Sequence, residues 1–416
     1  MLGAEYVLLF FILSHTVFAI KPNDPYFYKQ WACYNDGTFK FNNELIATSG
    51  ADMGMLKTWD IKQGDSAIIV AILDSGLKFD HPEFANRIWK NIKEIPANGK
   101  DDDNNGFIDN TIGWDFGDND NNPADEIGHG TAIAGIVAAN ANNGIGVAGI
   151  DWYCKLMVCK VTDSIGAIPS SRVAKAIQYA TLNGANVIVM ALGNYQKSGI
   201  AESSAVSEAY KKNIVIVAGS GNDNKDSIFY PAALEESICV GSTDPNDKRS
   251  IPFIDGEAGS NYGPELDIVA PGNGIIIIDI NTPNEYKSFV GGTSSATTQV
   301  AGVVSLLLAQ DKTRTPERIK NILYKTADDQ IGDPSEDTQG WDKYYGWGRV
   351  NAHKALTYQE NHVVNNFYTV RKNSLQKTML VVAPKTGLAL VSVRKNGVAN
   401  YYNVYGQKVN ASALLK

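Results

Sequence analysis

Cysteine is scarce in this chain: four residues in 416, at Cys33, Cys154, Cys159 and Cys239. None has a partner at the spacing of a zinc site. In an exported protein the four could oxidise into two bridges, with three possible connectivities. Cys159 and Cys239 lie inside apolar strand-like runs, where a buried thiol fits as well. Basic tracts are missing too. The net charge is −8, from 37 basic against 45 acidic residues, which argues against binding nucleic acid through its phosphates. Hydrophobic runs of membrane-spanning length are missing as well: at the N-terminus Val7 to Leu13 is apolar but too short to span a bilayer. That run leads to Val17-Phe18-Ala19, with small residues at the last and third-last positions, so residues 1–19 read as a cleaved secretory signal. Glu5 stands where such signals usually carry a positive charge. No later stretch is long and apolar enough to cross a membrane, and no internal repeat is visible.

What is present is an alternation of two patterns. Ser66 to Leu73, Lys155 to Val161, Ala185 to Ala191 and Ile214 to Ala218 are short and almost wholly apolar. Ser170 to Asn183 and Ala201 to Lys212 have helical length and periodicity. Near-continuous apolar strands separated by helices predict a doubly wound α/β architecture, its mostly parallel sheet covered by helices on both faces. Such sheets hold ligands at the carboxyl ends of their strands, and Asp74 closes one of them. Ser294 to Gln310 is apolar on nearly every side after a small, polar start, which predicts a buried central helix with Ser294 in its first turn. Pro316-Glu317-Arg318 opens a further amphipathic helix. From about Tyr358 the pattern shifts to short β-strands joined by Gly and Asn turns, a small β-rich appendage.

Three strings then supply three kinds of reactive side chain. They are Val70 to Gly76, carrying Asp74; Gly128-His129-Gly130-Thr131; and Gly291 to Thr297, carrying Ser294. A serine hydroxyl attacks a carbonyl only if a base takes its proton, and that base must be held in one tautomer. Of the five histidines, His129 is set between glycines ahead of a helix-like run; His15 lies in the signal and the others lack such flanks. Glycines before Ser294 and small residues after it leave room for a bulky substrate. In chain order the three give Asp, His, Ser, the order known from subtilisin.

With these blocks the chain resembles the subtilase family, the subtilisin-like serine endopeptidases, from about Asn23 to Leu356. Further blocks carry the resemblance: His81-Pro82-Glu83-Phe84, Gly144 to Gly149, Ser260 to Gly263, Val269 to Gly272 and Tyr345 to Asn351. The resemblance implies peptide or protein substrates cleaved through an acyl-enzyme. Ser294 would be the nucleophile, His129 the base and then the acid, and Asp74 the group that orients the imidazole. Asn222, in Gly219-Ser220-Gly221-Asn222, and the Ser294 backbone N–H would be the oxyanion donors. Ala191-Leu192-Gly193 would pair with the main chain of an extended substrate, with Ala191 standing where the family usually has Ser. Ser295, Thr298 and Gln299 depart from the family's usual Met, Pro and His. Asp24 to Trp31 resembles the start of a mature catalytic unit, so folding is expected either to need no pro-segment or to use the N-terminal stretch in its place. A subtilase-fold protein that binds peptides without turning them over is the alternative these departures raise.

Asp101 to Asp109 is a second constellation. Oxygen side chains at alternate positions, Gly106 at the sixth and a carboxylate at the ninth match the beginning of a calcium loop, but the twelfth position is Ile112 and not Glu. Asp101, Asp103, Asn105 and Asp109, with the Phe107 carbonyl, are therefore expected to chelate a structural Ca²⁺ in a shortened loop. Asp115, Asp118, Asp120 and Asp125 follow closely and could belong to a second cation site. Tyr402 to Val409 faintly resembles C-terminal sorting domains of gliding bacteria, beside the plainer reading of a β-hairpin appendage. The expected organisation is a signal (1–19), an N-terminal extension packed on the catalytic domain (20–63), a subtilisin-like peptidase domain (64–357) and a small β-rich region (358–416). The product would be a secreted monomer with no transmembrane segment, and cell-surface attachment could come from its tail.

Overall fold

Seven strands make one parallel sheet: β1 (Ile69–Asp74), β2 (Gly113–Asp115), β3 (Lys155–Lys160), β4 (Val187–Met190), β5 (Val215–Gly219), β6 (Ser237–Thr243) and β7 (Ile268–Pro271). Their order across the sheet is β2-β3-β1-β4-β5-β6-β7. From β1 the chain builds one side with β2 and β3, then returns to build the other from β4 onward. The direction of winding therefore reverses beside β1, and an open α/β sheet leaves a crevice outside its carboxyl ends at such a point. The computed structural model describes residues 20–360 apart from 43–44, 164–165, 281–285 and 287–288, together with strand backbones between 378 and 409. The expected signal segment lies outside the described residues.

Successive strand side chains point to opposite faces, so the apolar runs fill two cores. Ala71, Leu73, Met157, Cys159, Ile188, Met190, Ile216 and Ala218 form one cluster with Val173, Ile177, Val206 and Ala209 of helices α2 (Ser170–Leu182) and α3 (Ile200–Lys211). The alternate residues, Val70, Ile72 and on to Asp74, face the opposite way, where helices α1 (His129–Ala138) and α4 (Thr293–Gln310) pack on each other. Sheet alternation thus delivers Asp74 to the side that holds His129 and Ser294.

Helix α4 is the buried central helix its composition predicts; every residue from Ser295 to Ala309 is buried. Helix α5 (Pro316–Thr326) starts as expected, with the Thr315 hydroxyl accepting from Arg318 N–H, Pro316 in the first turn and Glu317 beside it. Strands β2 and β7 are short and sit at the two edges of the sheet, and neither has the long apolar run that marks β1 or β5. Residues ahead of β1 are tied to the main core by two buried indoles: Trp31 donates to the Gly274 carbonyl and Trp59 to the Ile150 carbonyl, each at 3.0 Å. All four cysteines are buried free thiols, so the second of the two cysteine readings holds. Among the described residues no helix is long and apolar enough to cross a membrane.

The chain divides into two compact units, Met1–Thr357 and Tyr358–Lys416. The second carries a four-stranded antiparallel sheet of Thr378–Val382, Ala389–Lys395, Val398–Asn403 and Lys408–Val409 in sequential order.

Candidate active site

Asp74 is the last residue of β1 and is buried, so its carboxylate is held by the sheet. His129 is the first residue of α1, placed there by Gly128 in a left-handed turn with φ of 102°. The two meet through Asp74 Oδ1 and His129 Nδ1 at 2.7 Å, across 55 residues of sequence. That contact puts the proton on Nδ1 and leaves Nε2 as the basic nitrogen. Burial opposes a charge on the ring, but the charge and hydrogen bond of Asp74 together with smaller pulls from Asp125 and Glu257 outweigh it, and the pKa is raised above the usual imidazole value. Gly130 is required by close approach, since a Cβ there would lie 2.3 Å from the Gly76 carbonyl oxygen.

Asp125, which could have belonged to a second cation site, is buried beside the start of α1. One of its oxygens accepts from the Ser75 hydroxyl and the Ile127 and Gly128 amides; the other accepts from the amide and hydroxyl of Thr131. It is therefore bound into the start of α1 and not into a cation site. Asp115, from the same acidic stretch, is paired with the buried Lys160 at 2.9 Å. The first and last members of the possible second cation site thus have protein partners of their own, and among the described residues the acidic group that converges is Glu94, Asp101 and Asp103.

Ser294 lies in the first turn of α4, and its hydroxyl donates to the Ala191 carbonyl at 3.0 Å. Ala191 directly follows β4, so Ala191-Leu192-Gly193 lies beside the serine. Asn194 then turns away to exchange hydrogen bonds with the Tyr230 backbone. Asn222, just past β5, accepts through Oδ1 from the Thr293 amide at 2.9 Å and the Thr293 hydroxyl at 2.8 Å. His129, Asn222, Ser294 and Ser295 line one cleft of about 420 Å³, with Asp255, Glu257 and a floor of isoleucines that includes Ile133, Ile136 and Ile278.

Phe229 lies between the two glycine segments that flank this serine. A Cβ at Gly193 would come within 3.1 Å of its Cβ, and one at Gly221 within 2.9 Å of its ring. The Tyr195 ring meets it edge-on at 4.7 Å. Thr298 and Gln299 fit the helix differently: the Thr298 hydroxyl donates to the Ser294 carbonyl at 2.7 Å, whereas the buried Gln299 Oε1 has no partner among the described residues.

In the acidic loop, the carboxylates of Glu94, Asp101 and Asp103 bring oxygens within 4.8 Å of one another. Glu94 is buried and is bound in place by the Asp102, Asp103 and Asp109 amides. Asp109 itself faces the Asn98 and Gly99 amides, and Asn105 Oδ1 accepts from the Phe107 amide. Of the expected chelators, Asp101 and Asp103 converge. Their partner is Glu94, seven residues before the loop begins. Three hard carboxylates at one point form a donor set that suits a hard cation such as Ca²⁺.

The comparisons agree with this geometry. The model of the subtilase family matches residues 65–348. Thermitase from Thermoactinomyces vulgaris is 34% identical over 338 residues, covering 81% of this chain and 99% of that one. A thermophilic serine proteinase from Bacillus sp. (strain AK1) is 33% identical over 300 residues, covering 72% of this chain but only 64% of its own length. Among solved structures, a protease from Pseudoalteromonas arctica superposes with a TM-score of 0.61 at 25% identity, covering 80% of this chain and 98% of that one. A cold-adapted subtilisin-like serine proteinase gives 0.55 at 26% identity over 70% of this chain and 90% of that one. With the family model spanning most of the sheet, and the Asp, His and Ser strings meeting at its carboxyl edge, the chain belongs to the subtilase family.

Proposed function

We propose that this subtilase is a serine endopeptidase that hydrolyses peptide bonds through an acyl-enzyme. The observation that carries the reading is the 2.7 Å contact between Asp74 and the Nδ1 of His129, in the cleft that also holds Ser294 and Asn222. In the reaction the Ser294 proton turns from the Ala191 carbonyl to Nε2 of His129, and Oγ attacks the scissile carbonyl. The imidazolium is stabilised by Asp74 and then protonates the leaving amine. Asn222 Nδ2 and the Ser294 N–H at the start of α4 are the donors for the tetrahedral oxygen. Ala191-Leu192-Gly193 offers its backbone to an extended substrate strand, which recognises main chain with little demand on side chains. The folded protein should be labelled stoichiometrically by a fluorophosphonate, and Ser294→Ala should abolish that labelling together with casein hydrolysis. Folded wild type that neither labels nor cleaves would be a peptide-binding relative instead.

Glu94, Asp101 and Asp103 are the residues that would hold Ca²⁺; the ion would neutralise their charge and tie the segment after Ile92 to the loop. Its role is structural, remote from the reacting atoms. The proposed setting is extracellular, reached through the segment 1–19.

A further inference from the structure

The Asn222 amide is already engaged. Thr293 N–H can only donate, so the oxygen it bonds is Oδ1, and Nδ2 is left facing the cleft. There Nδ2 donates to Oε2 of Glu257 at 2.5 Å. Glu257 sits on a loop that turns tightly, with Gly256 N–H donating to the Phe253 carbonyl and Phe253 N–H to the Glu257 carbonyl. The loop is pinned on both sides of the serine's approach: Gly259 N–H donates to the Asn222 carbonyl, and Asp255 accepts from Gly291 N–H. The Glu257 side chain itself is exposed, so it can swing into water at small cost.

We propose that Glu257 is a latch on the active site, its carboxylate occupying the Asn222 donor that the reaction needs for the oxyanion. The inference rests on the reading of Asn222 as that donor. A carboxylate and a tetrahedral oxyanion are both anionic oxygens, and one N–H aimed in one direction serves them one at a time. The resting enzyme therefore satisfies its oxyanion site with its own anion, and turnover requires the latch to leave. Because the donor is used most strongly in the transition state, the latch depresses kcat more than it raises KM.

The test measures kcat, KM and the rate of fluorophosphonate inactivation for wild type, Glu257→Gln, Glu257→Ala and Asp255→Asn. Loss of one exposed charge-assisted hydrogen bond should raise kcat and the inactivation rate about three- to tenfold in both Glu257 variants. That gain should vanish when Glu257→Ala is combined with Asn222→Ala. Glu257 variants no faster than a reactive wild type would overturn the latch alone. So would a loss in Glu257→Ala that Glu257→Gln restores, which would make Glu257 a support for Asn222. An equal gain in Asp255→Asn would assign the effect to a loosened loop. If neither wild type nor the variants react while all are folded, the endopeptidase reading falls with the latch.

Discussion

The Ser75 hydroxyl donates to Asp125 at 2.8 Å and accepts the Gly130 N–H at 2.8 Å, so the residue after Asp74 is tied to the residues on both sides of His129. The acid and the imidazole are thus joined twice, once directly and once through a buried polar clamp. Asp125→Ala should lower stability by about 2–4 kcal/mol, since several buried donors lose their acceptor. It should also cut kcat at least tenfold by letting His129 drift. Urea unfolding and steady-state kinetics measure both, and an unchanged kcat in a destabilised variant would reduce the clamp to a purely structural role.

Asp74→Asn should leave the fold intact and lower kcat about 10⁴-fold, the scale seen when a serine protease loses this carboxylate and the wrong imidazole tautomer results. Circular dichroism with kinetics decides the matter. A loss below tenfold would mean that Asp74 does not orient the base.

These two residues also show what the primary structure made legible. Asp74, His129 and Ser294 stand in contiguous strings whose glycines have direct steric causes, such as Gly130 beneath the Gly76 carbonyl. The parallel sheet was legible from its apolar runs, because burial on both faces leaves no polar alternation. Glu94, Asp125 and Glu257 were not, because each acts through a fold-made neighbour and has no local pattern. Where the Asp109 carboxylate points was not legible either, because spacing counts oxygens without giving their direction; its backbone is left-handed, with φ of 55°, and its carboxylate accepts from the Asn98 and Gly99 amides.

The acidic limb of activity should lie above the pKa of a free imidazole. The base must be neutral, and Asp74 favours the charged ring, so kcat/KM should rise with pH through a raised His129 pKa. The same shift means that the stabilisation His129 gains from its proton is complete at low pH and disappears as pH rises through the folded-state value. A pH profile of kcat/KM tests the sign; a limb at or below about 6.5 contradicts it.

Removing the cation should lower the thermal midpoint. A ligand bound only to the folded state at a hundredfold excess over Kd contributes about 2.7 kcal/mol. In a domain of this size that is a shift of about 4 °C. Glu94→Gln should reproduce much of it without EDTA. An identical melt with and without chelator, and no metal by elemental analysis, would count against the site.

Phe229 should restrict the residue cleaved after. Phe229→Ala would open the space between Gly193 and Gly221, and a peptide library should shift toward larger side chains on the acyl side of the cut. An unchanged profile would place the selective contact elsewhere.

Helix α4 has one more consequence. The sheet strands β1 to β7 and α1 all precede it in the chain, and its buried length fills the space between them. Synthesis proceeds from the N-terminus, so a ribosome-bound chain owns its acid and its imidazole long before its nucleophile. Ser294 reaches the cleft only once α4 has docked on a sheet and a helix made before it, and buried residues that follow, such as Ile319, Tyr345 and Val350, still have to join the core after that. The nucleophile is thus the last of the three reactive side chains to be made.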